Sequence, residues 1–152
     1  MYSLDTSALI TPWRDTYPPR RFKGFWERYE ELIDSGRAFA VDEVAIELKR
    51  RDDELAEWIK LHPSLFVPLE ADIQLATIEA LRLCERMVGN IRGRNGADPF
   101  VIGLAKARGL TVVTMEKATN SLKRPKIPDV CNEMGVPCID VIGLMDREQW
   151  EF

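Results

Sequence analysis

Residues 110–114 constrain the fold of this chain more than any other stretch of its sequence. They are Leu-Thr-Val-Val-Thr, a nearly continuous series of apolar and β-branched side chains. Such a series is typical of a strand that is buried on both faces, as the strands of parallel sheets are. The segment therefore predicts a buried strand in a parallel sheet.

Other short apolar segments predict the remaining strands, at residues 2–4, 38–41, 65–69 and 136–141. Pro68 makes the third of these an edge strand or an extended connector. Helical patterns separate the strands, at residues 25–33, 43–48, 54–61, 71–88, 98–108 and 129–134. Three prolines predict an ordered loop over residues 11–23. Strands that alternate with helices indicate one α/β domain over residues 1–152, a parallel sheet with helices on both faces.

Composition and charge exclude several classes of protein. The 152 residues carry a formal net charge of −4, and no segment approaches the roughly 18 apolar residues of a membrane span. The chain enters its first strand without a signal peptide, so we expect no membrane association and a cytoplasmic location. Three cysteines and one histidine do not supply a structural zinc site. The sequence also lacks a phosphate-binding glycine loop and a Ser-His-Asp set.

Basic clusters interrupt this acidic composition, at residues 20–23, 49–51, 92–94 and 117–126. The last segment contains four basic residues and no acid. Each cluster alone is typical of a solvated face, but several of them near loop ends indicate a surface for nucleic acid. The candidate residues for binding nucleic acid are Arg92, Arg94, Lys117, Lys123, Arg124 and Lys126.

Four acids are placed where a parallel sheet would bring them to one edge. Asp5 follows the first strand, and Glu116 follows the strand at residues 110–114. Asp98 begins the helix before that strand, and Glu47 lies about one turn into the helix after the second strand. Ligand sites in such sheets lie outside the carboxyl ends of the strands. We therefore expect the four side chains to share one site.

Two interpretations of these acids stay open at this point. Clustered carboxylates repel one another unless a cation joins them, and oxygen ligands without histidine select Mg²⁺ or Mn²⁺. Alternatively, Asp5 and Asp98 are helix caps, since Asp accepts the free N–H groups of a first turn. In that case Glu47 and Glu116 belong to the solvated surface.

Four segments in this order resemble the PIN-domain family, in particular an uncharacterised branch related to the toxins of VapBC-type modules. They are Tyr-Ser-Leu-Asp-Thr-Ser at 2–7, Val-Ala-Ile-Glu-Leu at 44–48, Ala-Asp-Pro-Phe-Val-Ile-Gly-Leu-Ala at 97–105 and Val-Val-Thr-Met-Glu at 112–116. The resemblance implies a three-layer α/β/α sandwich around a parallel sheet of about five strands. It also implies RNA cleavage that depends on Mg²⁺ or Mn²⁺.

The resemblance assigns roles residue by residue. Asp5, Glu47 and Asp98 are similar to the metal-binding acids of the family, with Glu43 as an alternative to Glu47 because it is nearer the strand. Glu116 stands where the family often has Asp. The residues similar to supporting hydroxyl groups are Thr6, Ser7 and Thr114.

These implications lead to competing functional hypotheses. The leading one is an endoribonuclease that is the toxin of a type II toxin–antitoxin module, with RNA as substrate, an antitoxin partner and a homodimeric state. The alternative is a catalytically inactive PIN-like module that binds RNA or protein. A third is a phosphatase or receiver-like domain with Asp5 as the reacting group, but no suitable lysine clearly follows a late strand.

Overall fold

A five-stranded parallel sheet forms the centre of the structure. The computed structural model describes residues 1–83, 96–121 and 123–152, without the side chain of Asp53. In these ranges the strands are β1 (Tyr2–Leu4), β2 (Ala38–Val41), β3 (Phe66–Val67), β4 (Thr111–Val113) and β5 (Cys138–Ile139). Their order is β3-β2-β1-β4-β5, and every neighbouring pair is parallel. The predicted sheet is confirmed, with β1 in the middle and β3 at one edge.

Helices pack against this sheet to form the predicted three-layer α/β/α sandwich. They are α1 (Thr6–Thr11), α2 (Lys23–Asp34), α3 (Asp42–Arg51), α4 (Asp53–Lys60), α5 (Ala71–Leu83), α6 (Asp98–Arg108), α7 (Ile127–Met134) and α8 (Val141–Glu148). The predicted helix at 71–88 is present up to Leu83, and its remainder lies outside the described residues. Among the described helices, none is long and apolar enough to cross a membrane.

The segment after β1 is more helical than its prolines predicted. A π-helical turn, Pro12–Thr16, follows α1 directly, so the predicted loop over residues 11–23 is wrong in its first half. Pro12 has no N–H to offer the carbonyl of Ala8, four residues earlier. The hydroxyl of Tyr29 donates a hydrogen bond to that carbonyl at 3.0 Å instead. A contact from α2 thus satisfies the backbone group that the proline leaves open.

The end of the chain also differs from the prediction. The predicted strand at 136–141 is shorter, because α8 begins at Val141. Asp140 Oδ1 accepts a hydrogen bond from the Gly143 N–H at 2.8 Å and so caps this helix. A capping acid within an apolar segment therefore shortened the strand that the pattern predicted.

Close packing of two helices positions α6 against the sheet. Gly103 of α6 lies against Thr77 of α5, and a Cβ atom at this position would stand 2.1 Å from Thr77 Oγ1. Thr77 is buried, and its hydroxyl donates a hydrogen bond to the Ile73 carbonyl at 2.7 Å. A glycine is therefore required where the two helices approach each other. This contact lies in the helix that Asp98 begins.

An aromatic cluster fills the space between α2, α4 and the π-helical turn. The ring centroids of Trp13 and Trp26 are 4.9 Å apart, and those of Trp26 and Trp58 are 5.2 Å apart. Trp26 is buried, whereas Trp13 and Trp150 are partly buried against the core. These tryptophans pack within the chain, and the edges of Trp13 and Trp150 remain accessible.

Candidate functional site

Asp5 stands where the chain leaves β1 and begins α1. Its Oδ2 atom accepts a hydrogen bond from the Ser7 backbone N–H at 3.2 Å, which confirms that it caps the helix. The same oxygen accepts hydrogen bonds from the hydroxyls of Ser7 and Thr114, the second at 2.9 Å. The side chain is buried, with 3% of its surface exposed. Asp5 is therefore a cap and also a buried acid at the carboxyl edge of the sheet.

Two hydroxyl groups connect this acid to the neighbouring strand. Ser7 Oγ and Thr114 Oγ1 are 3.1 Å apart. The Met115 N–H donates a hydrogen bond to Ser7 Oγ at 2.9 Å, and the Glu116 N–H donates one to Thr114 Oγ1 at 3.1 Å. The start of α1 thus holds the chain that follows β4, and this brings the backbone of Glu116 close to Asp5.

Glu47 joins the starts of two other helices. Its Oε2 atom accepts a hydrogen bond from the Thr6 hydroxyl at 2.6 Å, and its Oε1 atom accepts one from the Ala97 N–H at 3.2 Å. The side chain therefore lies between the beginning of α1 and that of α6. Glu43 lies one turn earlier in α3, and its buried Oε2 atom has no hydrogen-bond partner among the described residues.

Asp98 is not a helix cap, which corrects one of the two interpretations of this residue. Ala97 is the N-cap of α6, and Asp98 is the first residue inside the helix. Its side chain is buried, with 5% of its surface exposed. Within the described ranges, Asp98 Oδ2 has no hydrogen-bond partner. Such an atom is costly to bury, so it indicates a site for a proton or a cation.

The electrostatic environment of Asp98 is unfavourable for its charged form. Burial is the largest cause, and the charges of Asp5, Glu116 and Glu47 follow in that order. Together they raise the pKa of Asp98 to about 9, although the positive charge of Arg51 acts in the opposite direction. The other three predicted acids therefore all act electrostatically on Asp98.

The environment of Asp5 also disfavours the charged form, but less strongly than that of Asp98. Burial raises its pKa to about 6, and the charge of Glu116 contributes to that rise. The hydrogen bonds from Ser7 and Thr114 oppose it, because they stabilise the carboxylate. The hydroxyl groups thus favour an ionised Asp5 beside an Asp98 that retains its proton.

Glu116 is oriented by the helix that follows it. Its Oε2 atom accepts a hydrogen bond from the Ile127 N–H, the first backbone group of α7, at 3.0 Å. A carboxylate is favoured at a helix N-terminus by the free N–H groups and the helix dipole. The fourth acid is therefore held by both β4 and α7.

The four acids lie at the same edge of the sheet but do not form a preorganised metal site. In the part of the chain that the structure describes, no group of three or more His, Cys, Asp or Glu side chains is arranged to hold a metal ion as it stands. The unpartnered oxygen of Asp98 and the set of carboxylate donors nevertheless suit a hard divalent cation. Asp5, Glu47 and Asp98 are the residues whose carboxylates could serve as its ligands.

The predicted basic residues fall into two groups. Arg92 and Arg94 lie outside the described residues. The others are exposed on the segment that connects Glu116 with α7, namely Lys117, Lys123, Arg124 and Lys126. Positive side chains therefore lie on the segment that directly follows Glu116 in the chain.

Two residues with contacts near the site were not predicted. Arg51, at the end of α3, acts electrostatically on Asp98. Asp129 accepts several hydrogen bonds from the basic segment. An acid three positions after Lys126, with a proline between them, is the pattern of an acidic N3 residue, and it could have indicated Asp129.

The fold and the site define a class: a three-layer α/β protein with a cluster of acids at the carboxyl edge of its parallel sheet. The chain belongs to the family described as "Domain of unknown function (DUF4411)", which matches residues 2–152 and so includes all four acids. No curated protein matches the chain. The function must therefore be argued from the site itself.

Proposed function

We propose that this protein is a metal-dependent endoribonuclease that cleaves RNA phosphodiester bonds. One observation carries the proposal: Asp98 Oδ2 is buried without a described hydrogen-bond partner, and three further acids act on its charge. Buried carboxylates in one place are stable only with bound protons or a cation. A cation that takes only oxygen ligands is Mg²⁺ or Mn²⁺ rather than zinc.

Asp5, Glu47 and Asp98 would hold this cation. When bound, the cation supplies Lewis-acid stabilisation of phosphoryl oxygens and a lowered pKa for water. The chain's own groups orient the acids before any cation arrives. Ser7 and Thr114 fix one oxygen of Asp5, and Thr6 fixes one oxygen of Glu47.

Glu116 has a distinct role in this proposal. Its Oε2 atom is held by the Ile127 N–H, so the carboxylate remains at the edge of the site. It adds a fourth negative charge that acts on both Asp5 and Asp98. The family that the chain resembles often has Asp here. The longer Glu116 side chain reaches from the segment after β4 to the Ile127 N–H.

RNA is the substrate class that the surrounding charges favour. The acidic cluster alone repels phosphates, but four exposed basic side chains lie on the segment between Glu116 and α7. Lys and Arg bind phosphates by charge and release counterions. Single-stranded or looped RNA is the expected substrate, because its bases are splayed and accessible.

The biological setting follows from the resemblance alone. We propose that the protein is the toxin of a type II toxin–antitoxin module, acts in the cytoplasm as a homodimer and is inhibited by an antitoxin protein. A small reading frame beside this one that encodes an antitoxin-like protein would support this setting. A chain whose expression leaves growth unaffected, despite RNA cleavage in vitro, would contradict it.

A second function has its own supporting observation. Both oxygens of Glu47 already accept hydrogen bonds, from Thr6 and from the Ala97 N–H. If these bonds persist, Glu47 is not free to bind a cation, and the chain is an inactive module that binds RNA or protein. This alternative predicts RNA binding without cleavage in any divalent cation.

Cleavage assays distinguish these functions. Labelled single-stranded and structured RNAs are incubated with the wild type in Mg²⁺, in Mn²⁺ and in EDTA. We expect cleavage that EDTA abolishes and that falls at least about 100-fold in Asp5→Asn and Asp98→Asn, as losses of catalytic groups do. Asp146→Asn is the matched control, because Asp146 is an exposed acid on α8. Cleavage that is undiminished in the Asp98 variant would contradict the assignment of the site.

Glu43 and Glu47 are separated by the same assay. We expect Glu47→Gln to reduce cleavage strongly, because Glu47 contacts the residues beside Asp5 and Asp98. Glu43→Gln should retain most of the activity. The reverse result would transfer the role of the second acid to Glu43.

A further inference from the structure

One buried carboxylate closes the segment between β4 and α7 into a loop, here called the basic loop, of which the structure describes residues 117–121 and 123–126. Asp129 of α7 is 7% exposed. Its Oδ1 atom accepts hydrogen bonds from the backbone N–H groups of Thr119 at 3.0 Å and Asn120 at 2.9 Å. Its Oδ2 atom accepts one from the Lys126 N–H at 2.8 Å. The carboxylate therefore holds both ends of the loop.

The hydroxyl of Thr119 strengthens this closure. It contacts Asp129 Oδ2 at 2.8 Å and the carbonyl of Ser121 at 3.2 Å. Asn120 has a φ of 54°, a left-handed conformation that a non-glycine residue adopts only where its surroundings favour it. The loop thus has a specific backbone shape that depends on Asp129 and Thr119.

The basic loop is attached to the acidic site at both of its ends. It begins directly after Glu116, and Ile127, the residue after the loop, donates its N–H to Glu116 Oε2. The loop contains four basic residues and no acid. Its described basic side chains are exposed, whereas Asp129 is buried beneath it.

We propose that Asp129 is a positioning residue, which holds the basic loop in the shape that presents its cations to the phosphates of an RNA strand at the acidic site. This inference rests on the proposed function for its ligand, but not on cleavage or on a bound metal. Asp129 itself touches the loop and not the RNA. Its role is to keep the basic loop ordered.

The charge of Asp129 and its hydrogen bonds should affect RNA affinity in opposite directions, so a substitution of Asp129 distinguishes the two contributions. Hydrogen bonds from Lys126 and Thr119 lower the pKa of Asp129 although burial acts to raise it, so the group is ionised at neutral pH. By charge alone, Asp129→Asn makes the loop more positive and should tighten RNA binding. Loss of the closure should instead weaken binding, because a disordered loop must pay entropy to be ordered.

The first experiment measures binding of a fluorescent single-stranded RNA by anisotropy in EDTA, where no cleavage occurs. We expect Asp129→Asn to weaken binding about 5-fold or more, against the direction of its charge. Asp146→Asn has the same change in charge on α8 and should bind at least as tightly as the wild type. Circular dichroism confirms that each variant is folded.

A second pair of variants tests the closure without any change in charge. Thr119→Val removes the hydroxyl that contacts Asp129, and Thr119→Ser retains it. We expect the Val variant to weaken RNA binding about 3-fold or more and the Ser variant to bind like the wild type, since one hydrogen bond contributes about 1 kcal/mol.

Limited trypsin digestion reports the order of the loop directly. Trypsin cleaves after Lys and Arg, and opening of the loop exposes the bonds after Lys123 and Lys126. We expect cleavage there to be about 10-fold faster in Asp129→Asn and in Thr119→Val than in Asp146→Asn, from the loss of one or two hydrogen bonds.

The outcomes separate this inference from the proposed function. If the wild type binds RNA but both closure variants bind and resist trypsin like their controls, this inference is wrong while the nuclease proposal stands. If the wild type binds no RNA, both are wrong. Binding that weakens in the closure variants supports the inference even if no cleavage is ever found.

Discussion

At the scale of single residues, Asp98 and Asp5 differ in how many hydrogen bonds their buried carboxylates accept. Ala97 occupies the N-cap position of the helix that Asp98 begins, and the buried Oδ2 atom of Asp98 has no hydrogen-bond partner in the described ranges. Asp5 is different, because its Oδ2 atom accepts hydrogen bonds from three groups. Hydrogen bonds thus offset part of the cost of burying Asp5, whereas the cost of burying Asp98 is offset only by a ligand or a proton.

The first prediction concerns the stability of Asp98→Asn. The folded-state pKa of Asp98 is about 9, above its ordinary value of 3.8, so the folded protein binds more protons between these limits. Wild-type stability should therefore fall as the pH rises from about 4 towards 9, and Asn should remove this loss. At pH 8 we expect the variant to be more stable by several kcal/mol, because the wild type loses about 1.4 kcal/mol for each pH unit between these limits, and at pH 4 by almost nothing.

Urea denaturation in EDTA at several pH values measures this difference. Asp146→Asn serves as the control, because its exposed carboxyl should give no pH-dependent gain. A stability difference between wild type and Asp98→Asn that is the same at pH 4 and pH 8 would show that the Asp98 proton is not linked to folding.

At the scale of elements, the position of α6 relative to α5 decides where Asp98 lies. Gly103 is in contact with Thr77 at the point of closest approach. The packing of these helices also explains why the site could not be predicted in detail from the sequence. The pattern of α6 indicates a helix that begins near Asp98, but it does not say which helix packs on Gly103.

The second prediction compares two glycine substitutions within helices. In Gly103→Ala the new Cβ would stand 2.1 Å from Thr77 Oγ1 and 2.9 Å from the Thr77 backbone, so the helices must separate. We expect a loss of about 1–3 kcal/mol, the usual cost of overpacking. In Gly24→Ala the nearest atom is Phe152 Cδ1 at 3.5 Å, an ordinary contact, and we expect a gain of up to about 1 kcal/mol, because Ala is the better helix former.

Thermal unfolding of both variants checks this pair. The Gly103 variant should unfold several degrees below the wild type, since 1 kcal/mol corresponds to about 2–4 °C in a chain of this size. Equal melting temperatures for the two variants would contradict the close approach of α5 and α6.

At the scale of the whole molecule, the distribution of charge matters more than its sum. The chain has a net charge of −4, yet the basic loop has four positive residues beside the acidic site. RNA binding should therefore depend on a small number of local contacts. Each basic residue that contacts a phosphate of single-stranded RNA contributes about −0.7 to the slope of log affinity against log salt concentration.

The third prediction follows from that slope. If all four basic residues of the loop contact phosphates, the slope is about −2.8, and Lys123→Ala should reduce its magnitude by about 0.7. Anisotropy titrations at several KCl concentrations in EDTA measure both slopes. Lys60→Ala is the control, because Lys60 pairs with Glu57 on α4. An equal change in slope for the two variants would place RNA elsewhere.

Much of the architecture could be predicted from the sequence, because it depends on local patterns. The β-branched segment around Val112, the capping of α1 by Asp5 and the last residues of the helices predicted at 98–108 and 129–134 are all confirmed. The pattern was wrong where tertiary contacts decide. The Tyr29 hydroxyl supports helical structure at Pro12, and this contact has no signature in local periodicity.

We propose that the acids around Asp98 form a site for a divalent cation. Calorimetric titration of the wild type, Asp98→Ala and Asp146→Ala with Mn²⁺ at pH 7.5 tests it most directly. We predict binding of Mn²⁺ to the wild type and to the Asp146 variant, and loss of that binding in the Asp98 variant. Equal Mn²⁺ binding by all three proteins, or none by the wild type, would contradict the claim.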